Sequence, residues 1–489
     1  MSKTDLTIPQ PGISTTGTGS PFLSLGSAGI GDISGVDPED MQIINRLLKV
    51  WRDKYTGNII RSMYVDAHER FKDFGISIPD RIKTRVSPMI GWPAKAVRSL
   101  ADLSEFEGFD VDQGDRFGIR KIVEDNSLLS DVPQLISSAY THSCSFLTVA
   151  ADPDDAGRIQ LVPRSADWSS AIWDGEHRRI SAALTITSGD EKGRITGFNV
   201  WLPGKVYVCS GSVLPWHASV LETNYPRATV VPFFYDPQIG RPFGRSRVSR
   251  TLMSLTDIGF RTVVRMEASA EFYSVPKLWF VGADRDAFSD DTWSSLVSAI
   301  NAISKDEDGD RPDIKQISQA SMQPHSDMLR TIALLVSSET NIPVSDLGIT
   351  TDNPASAEAM AASERKLTRE ADRQNVIFSK ALKDAVGMAV CLRDGLRSVP
   401  VEFGDIHAVW SPTREVSNTA RADAFSKIAQ VAPAFAQTGV GWRYAGFSQD
   451  ETTEIMTQIR RGNALDVLDR LTGGGDQEDD QQTGRAGAQ

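Results

Sequence analysis

A chain of 489 residues with 40% hydrophobic content has material for real cores, enough for about two or three domains or one elongated protomer. Its formal net charge of −12 excludes tight wrapping of nucleic acid, which needs a basic footprint to displace counterions from phosphates. Cys144, Cys209 and Cys391 are far apart and lack metal-ligand spacing, and no apolar run approaches the ~20 residues that cross a bilayer, so the chain reads as a reduced, soluble, unexported protein with no membrane partner.

Residues 1–36 are rich in Ser, Thr, Gly and Pro and carry no helical or strand period, which predicts a flexible N-terminal arm. From Asp37, acidic cap-like residues precede Ile43, Ile44, Leu47, Leu48 and Trp51 at helical spacing, the pattern of an amphipathic helix. A second helix is expected over 89–106, interrupted or started near Pro93, and a third over 119–143, with breaks around Asn126 and Pro133.

Beyond Ser145 short β-branched and aromatic runs separated by Gly, Asp and Pro predict a mostly antiparallel sheet, with hairpin turns near Asp152–Gly157 and Gly189–Gly193. The loop YDPQIGRPFGRSRVS then leads into a helix whose apolar stripe, Leu252, Leu255, Ile258, Val263, Met266 and Phe272, persists despite Gly259. Roughly 27 helical residues there would span about 40 Å.

Val275–Val281 reads as a strand, Asp290–Ile303 as a short helix, and KDEDGDRPD as a charged turn before a strand at Ile314–Ile317. A helix over about Ser326–Thr340 is stopped or bent by Pro343, and helix resumes at Ala355 or Ser356, with Asn353 or Ser356 as cap. From there to about Arg393 no Pro intervenes; about 38 residues form a helix of roughly 57 Å, charged in its first half and apolar from Val376 to Leu392. Val399–Trp410 gives one more strand, Asn418–Gln437 and Asp450–Arg461 two helices, and the last residues an acidic disordered tail.

Motifs that carry chemistry are missing. Gly240–Ser246 (GRPFGRS) has too few residues between its glycines for a phosphate loop and Arg where Lys belongs. His68, His142, His177, His217, His325 and His407 form no zinc motif, and His142 and Cys144 would share a face if strand-like, by geometry alone and without forming a dyad. The carboxylates Asp152, Asp154 and Asp155, the pair Asp290-Asp291, and Asp306–Asp310 lie in turn-like sequence, where acids are common anyway. These readings give no catalytic residue, no metal site and no cofactor. Arg241, Arg245, Arg247 and Arg250 form the densest basic patch and suit the acidic face of a neighbouring subunit better than phosphate. Arg365, Lys366, Arg369 and Arg373, interleaved with Glu364, Glu370 and Asp372, suit ion pairs within a helix or between copies, with a solvated face as the alternative.

In order along the chain, NYPRATVVPFFYDP, PFGRSRVSRTLMSLTDI, NIPVSDLGI, NPASAEAMAASERKL and VWSPTREVSNTARADAFSKI resemble the portal family of long-tailed phages, over nearly the whole chain. The resemblance implies an α+β portal fold. Its parts would be a wing at 37–246, stem helices at 247–274 and 321–348, a small α/β clip at 275–320, a tunnel loop at 349–356, a tunnel helix at 357–397, a strand returning to the wing at 398–420, a helical crown at 421–472 and the tail at 473–489. It also implies a ring, usually of twelve copies, at one capsid vertex of a virion assembled in the host cytoplasm. Expected partners are the major capsid protein, the large subunit of terminase, the head–tail adaptor and double-stranded DNA passing through the channel. Thr350, Thr351, Asp352 and Asn353 are then expected to line the channel, and Asp284, Arg285, Asp306, Asp310 and Arg311 to dock terminase or adaptor. Another head–tail connector, a minor capsid protein, or a metal-dependent nuclease built from turn carboxylates are the rival readings.

Overall fold

Pro38 opens helix α1 (Pro38–Val65) at a position where its missing N–H costs nothing, and Glu39 and Asp40 complement the helix dipole. In the computed structural model this helix buries Ile44, Leu47, Leu48, Trp51 and Tyr55, a stripe at three- and four-residue spacing, against a sheet. Trp51 Nε1 donates to the Asp167 carbonyl at 2.7 Å, and Lys205 Nζ ties Asp37 at 2.9 Å. The structure describes residues 33–67, 89–111, 115–152, 155, 157–189, 195–211, 215–273, 278–281, 313–316, 321–349, 357–414, 418–447 and 449–472. Two compact units divide the chain, Met1–Thr413 and Arg414–Gln489.

That sheet is an antiparallel meander of β4 (Ser169–Asp174), β5 (Arg179–Gly189), β6 (Ile195–Leu202), β7 (Lys205–Ser210) and β8 (His217–Glu222). Strand alternation sends Phe198, Val200 and Leu202 towards α1 and Trp201 to the opposite face. A second sheet has β2 (Cys144–Ala151) at its centre, between β3 (Ile159–Ser165) and β9 (Val230–Phe234). Instead of the expected continuous sheet there are two, because β9 returns to pair with β2 and does not extend β8. Cys144, Phe146 and Val230 share a core with Ala183 and Trp201 of the meander, while Leu147, Val149 and Phe233 face the opposite way into the largest core.

The expected second helix is shorter than its sequence suggests. Helix α2 (Trp92–Ala101) ends before Ser104, and Phe106–Asp110 forms β1, which pairs with β12 (His407–Trp410). Gly108, at φ +124°, cannot continue a helix. The third expected helix breaks at Asn126 as anticipated, giving α3 (Ile119–Asp125) and α4 (Leu128–His142), with Ser127 at φ +51°. Pro133 does not break α4. It sits exposed in the second turn, where it removes one backbone bond and leaves the Leu129 carbonyl near water.

Helix α5 (Arg250–Tyr273) packs on α6 (Gln323–Thr340) through Leu252, Leu255, Ile332 and Val336. Gly259 has a packing reason: a Cβ there would stand 2.5 Å from the Trp92 ring of α2. Between these helices β10 (Leu278–Val281) pairs antiparallel with β11 (Asp313–Gln316); the expected helix at Asp290–Ile303 and its charged turn lie outside the described residues. Helix α6 stops ahead of Pro343, because Asn341 adopts a left-handed conformation at φ +58°. A 3-10 turn follows at Val344–Leu347.

Helix α7 (Ala357–Arg393) runs to the expected end. Its second half is buried nearly all round, with Phe378, Leu382, Val386 and Val390 in the largest core, which accounts for the charged-then-apolar sequence. Upstream of β12 the expected long strand is replaced at Val401–Asp405 by a 3-10 turn, which buries Phe403. In the unit from Arg414 onward, α8 (Asn418–Val431) ends before a 3-10 turn at Pro433–Gln437, so the expected helix to Gln437 is divided. Helices α9 (Gly439–Ala445) and α10 (Gln449–Thr472) follow, the latter running past the expected Arg461, and Phe425, Phe435 and Trp442 form the aromatic centre.

All three cysteines are buried, and burial pushes the Cys144 and Cys209 thiols up to about 12 and raises Cys391. They therefore resist a thiol reagent at pH 8 in the native protein and react together only on unfolding, as labelling along a urea gradient would record. Protonated thiols fixed by the fold also mean stability that is intact below the ordinary thiol pKa of 9.0 and falls as pH climbs towards 12.

Candidate functional site

The basic patch is built on the loop between β9 and α5, and that loop is rigid. Gln238 and Arg241 exchange backbone hydrogen bonds, and Gly244, at φ +74°, lies so close to the Tyr235 carbonyl that a Cβ would fall 1.9 Å from it. The amides of Gly244 and Arg245 donate to the carbonyls of Arg241 and Tyr235, at 2.9 Å each. Those N–H groups are not aimed at a ligand, so Gly240–Ser246 is not a phosphate cradle.

Four arginines from one stretch of sequence part company here. Arg241, Arg245 and Arg250 are exposed, whereas Arg247 is only 6% exposed and turns inward. Its Nε donates to the Ala96 carbonyl of α2 at 2.6 Å, Nη1 to Glu370 Oε1 of α7 at 2.6 Å and to Tyr235 Oη at 3.1 Å, and Nη2 to the Thr340 carbonyl of α6 at 2.6 Å. Tyr235 Oη donates to the same Glu370 oxygen at 2.5 Å, and Asn341 Nδ2 donates to the other at 3.2 Å. Burial raises the Tyr235 pKa, Arg247 opposes the rise and Glu370 adds to it, so the phenol keeps its proton and remains a donor.

Arg247 is therefore no surface contact for a neighbour, contrary to the sequence expectation. It is an internal clamp that joins α2, the β9–α5 loop, the last turn of α6 and the first half of α7. Thr340 offers one of the carbonyls that a helix end leaves unpaired, and the guanidinium supplies its donor. The two helices that flank residues 350–356 are thus fastened to one side chain. The signal was present in the sequence: Glu370 falls among Leu367, Ala371, Gln374 and Phe378, on the buried stripe of α7, and a carboxylate there demands a partner.

Arg365 and Arg369 are exposed on α7, and among the described residues neither forms an ion pair within the helix, which leaves them the contact between copies or a solvated face. Thr350, Thr351, Asp352 and Asn353 lie outside the described residues, as do Asp284, Arg285, Asp306, Asp310 and Arg311. Ile349 and Ala357 are the described residues on either side of the loop.

His142 ends α4 and does not share a strand with Cys144. Its Nε2 meets Ser62 Oγ at 2.9 Å and Asp167 Oδ1 at 3.0 Å, a Ser, His and Asp that sequence did not associate. Ser62 and Asp167 share that one nitrogen, and the opposite one, Nδ1, meets Ser138 Oγ and Ser165 Oγ only at a long 3.4 Å each, with these two hydroxyls bonded to one another at 3.2 Å, so the ring is held by neighbours on both sides and activates no single serine. The cluster is a buried strut joining α1, α4 and the β3–β4 turn. Among the described residues no group of His, Cys, Asp and Glu could hold a metal ion, and no helix is long and apolar enough to cross a membrane.

A family model described as "Phage portal protein, SPP1 Gp6-like" matches residues 82–454 of this chain. The portal protein of Mycobacterium phage L5 is 27% identical over 410 residues, spanning 80% of this chain and 82% of that protein. Its counterpart in Mycobacterium phage D29 is 26% identical over 401 residues, spanning 78% and 81%. Among solved structures, a chain from the virion of a native gene transfer agent particle aligns with a TM-score of 0.41 at 13% identity, over 82% of this chain and 99% of that one.

Removing one partner of the clamp leaves the other buried and uncompensated. Arg247→Met is expected to cost about 3–5 kcal/mol, and Arg247→Met with Glu370→Leu distinctly less than the sum of the two single changes. Urea unfolding of the four proteins, followed through the main cooperative transition, measures both quantities.

Proposed function

We propose that this protein, which belongs to the SPP1 Gp6-like family of phage portal proteins, is one protomer of a ring-shaped channel at a single capsid vertex, through which double-stranded DNA is packaged and later ejected. It is a structural protein of the virion and not an enzyme. The observation that carries the mechanism is the Arg247–Glu370 clamp, because it fixes the end of α6 and the first half of α7 to one point. A loop strung between two helices so fastened can project towards a channel axis without its roots shifting.

In this reading residues 37–246 form the wing, α5 and α6 the stem within 247–274 and 321–348, and 275–320 the clip. Residues 349–356 are the tunnel loop and 357–397 the tunnel helix; 398–420 return to the wing and 421–472 form the crown. The separate compaction of the chain from Arg414 onward supports treating the crown as its own part. Thr350, Thr351, Asp352 and Asn353 line the narrow part of the channel and touch DNA loosely. Asp284, Arg285, Asp306, Asp310 and Arg311 dock the large subunit of terminase and then the head–tail adaptor, while the wing meets the major capsid protein. Arg241, Arg245, Arg250, Arg365 and Arg369 serve contacts between copies, of which the ring holds twelve.

An acid excess suits such a channel, since basic walls would grip a polyanion through many phosphates and stall it. Deleting Thr351–Asn353 is expected to reduce DNA packaging severely while rings still assemble, as judged by packaged genome per particle and by electron microscopy of the purified ring. Packaging at the wild-type level would remove the loop's role.

A further inference from the structure

A cleft of about 1040 Å³ opens between α1, the beginnings of β2 and β4, and the loop that leads into α5. Its apolar part includes Ile60, Phe146, Phe243 and Met253, and its charged part consists of Lys54, Arg61, Arg241, Arg245 and Arg250, with no carboxylate among the lining residues. In a chain with 64 acidic against 52 basic side chains, that is a strong segregation of charge.

None of these five cations forms an ion pair among the described residues. Arg61 is half-buried, and its guanidinium donates to Asn58 Oδ1 at 3.1 Å and to the His142 carbonyl at 3.5 Å, neither of them charged. Desolvation lowers its basicity and the nearby Arg250 adds to this, opposed in part by the Asp167 carboxylate, which does not line the cleft. On the same rigid loop, within the turn that Gln238 and Arg241 close, Ile239 is fully exposed. A bare isoleucine on a fixed turn next to unpaired cations has the composition of an interface anchor with a charged rim.

We propose that this cleft receives an acidic, partly apolar segment of a second copy of the chain, with Ile239 as the apolar anchor beside it and the five cations as its counter-charges. The proposal rests on the ring reading, in which each copy presents one face to the neighbour on one side and a different face to the neighbour on the other. The acid excess elsewhere on the chain supplies complementary charge. Duplex DNA is also anionic, but phosphates would leave the exposed Ile239 and Ile60 without partners, whereas a polypeptide can match both chemistries.

Two measurements on the full chain test this. Rings are assembled from a mixture of isotope-labelled and unlabelled protein and treated with a zero-length carbodiimide coupler; Lys54 is expected to join an Asp or Glu of the other isotope. In parallel, the surface variants Arg241→Glu with Arg245→Glu, and Ile239→Asp, are expected to raise the concentration for half-assembly by about tenfold or more, by light scattering, with the thermal unfolding of the unassembled chain unchanged. If wild-type protein forms rings but the variants assemble equally well, or Lys54 couples only within its own copy, the proposal is overturned and the ring reading stands. Loss of short-duplex DNA binding with assembly untouched would overturn it in favour of nucleic acid. Wild-type protein that forms no ring at any concentration overturns both.

Discussion

Burying a guanidinium is unfavourable unless its charge is paired and its N–H groups find acceptors, and the four hydrogen bonds of Arg247 form only when four stretches of chain are in place together. A backbone carbonyl from α2, a phenol from the β9–α5 loop, a helix-terminal carbonyl from α6 and a carboxylate from α7 converge on one side chain. Misplacing any one of them leaves a polar group stranded. The clamp thereby selects a single relative arrangement of these elements, which apolar packing alone specifies more loosely, because hydrophobic contact tolerates sliding.

The same side chain explains why α6 can end where it does. Its last carbonyls need donors, Asn341 must leave the helical region for the chain to turn, and Glu370 accepts from the Asn341 amide while holding the guanidinium that caps Thr340. Helix α2 is held from two sides, through its Ala96 carbonyl on Arg247 and through Trp92 against Gly259 of α5. A displacement of α5 or α6 must therefore either carry α2 and α7 with it or break a buried charge pair. That coupling travels through contacts named on both sides, and it gives the helices around the loop the character of one rigid mount.

Much of this was legible wherever a residue's role is local. The extent of α7, its charged-to-apolar change, the strand texture after Ser145 and the break at Asn126 all follow from periodicity and from the properties of single residues. What escaped is non-local. Nothing in PFGRSRVSR marks which arginine turns inward, since all four share one texture, and only Glu370, on the apolar stripe of α7, hints that a cation must come from elsewhere. The division into two sheets was hidden because it depends on which strand β9 pairs with. Pro133 misled for a related reason: its effect depends on solvent reaching the Leu129 carbonyl. Family resemblance came from the order of several loose motifs, which survives sequence divergence better than any one of them.

Charge ties the two ends of the functional argument together. Copies of a chain with net charge −12 repel one another when gathered into a ring, so assembly requires local charge matching strong enough to offset that repulsion. Spreading cations evenly would weaken the repulsion, but it would also place basic side chains wherever the polyanion passes. In the proposed ring, gathering Lys54, Arg61, Arg241, Arg245 and Arg250 in one concave face would meet both demands, concentrating basic charge at the proposed docking face and leaving an acid excess among the remaining side chains. On this view the inward turn of Arg247 also matters outside the protomer, because it fixes the loop that holds Arg241 and Arg245 and so sets the shape of the face that the next copy meets.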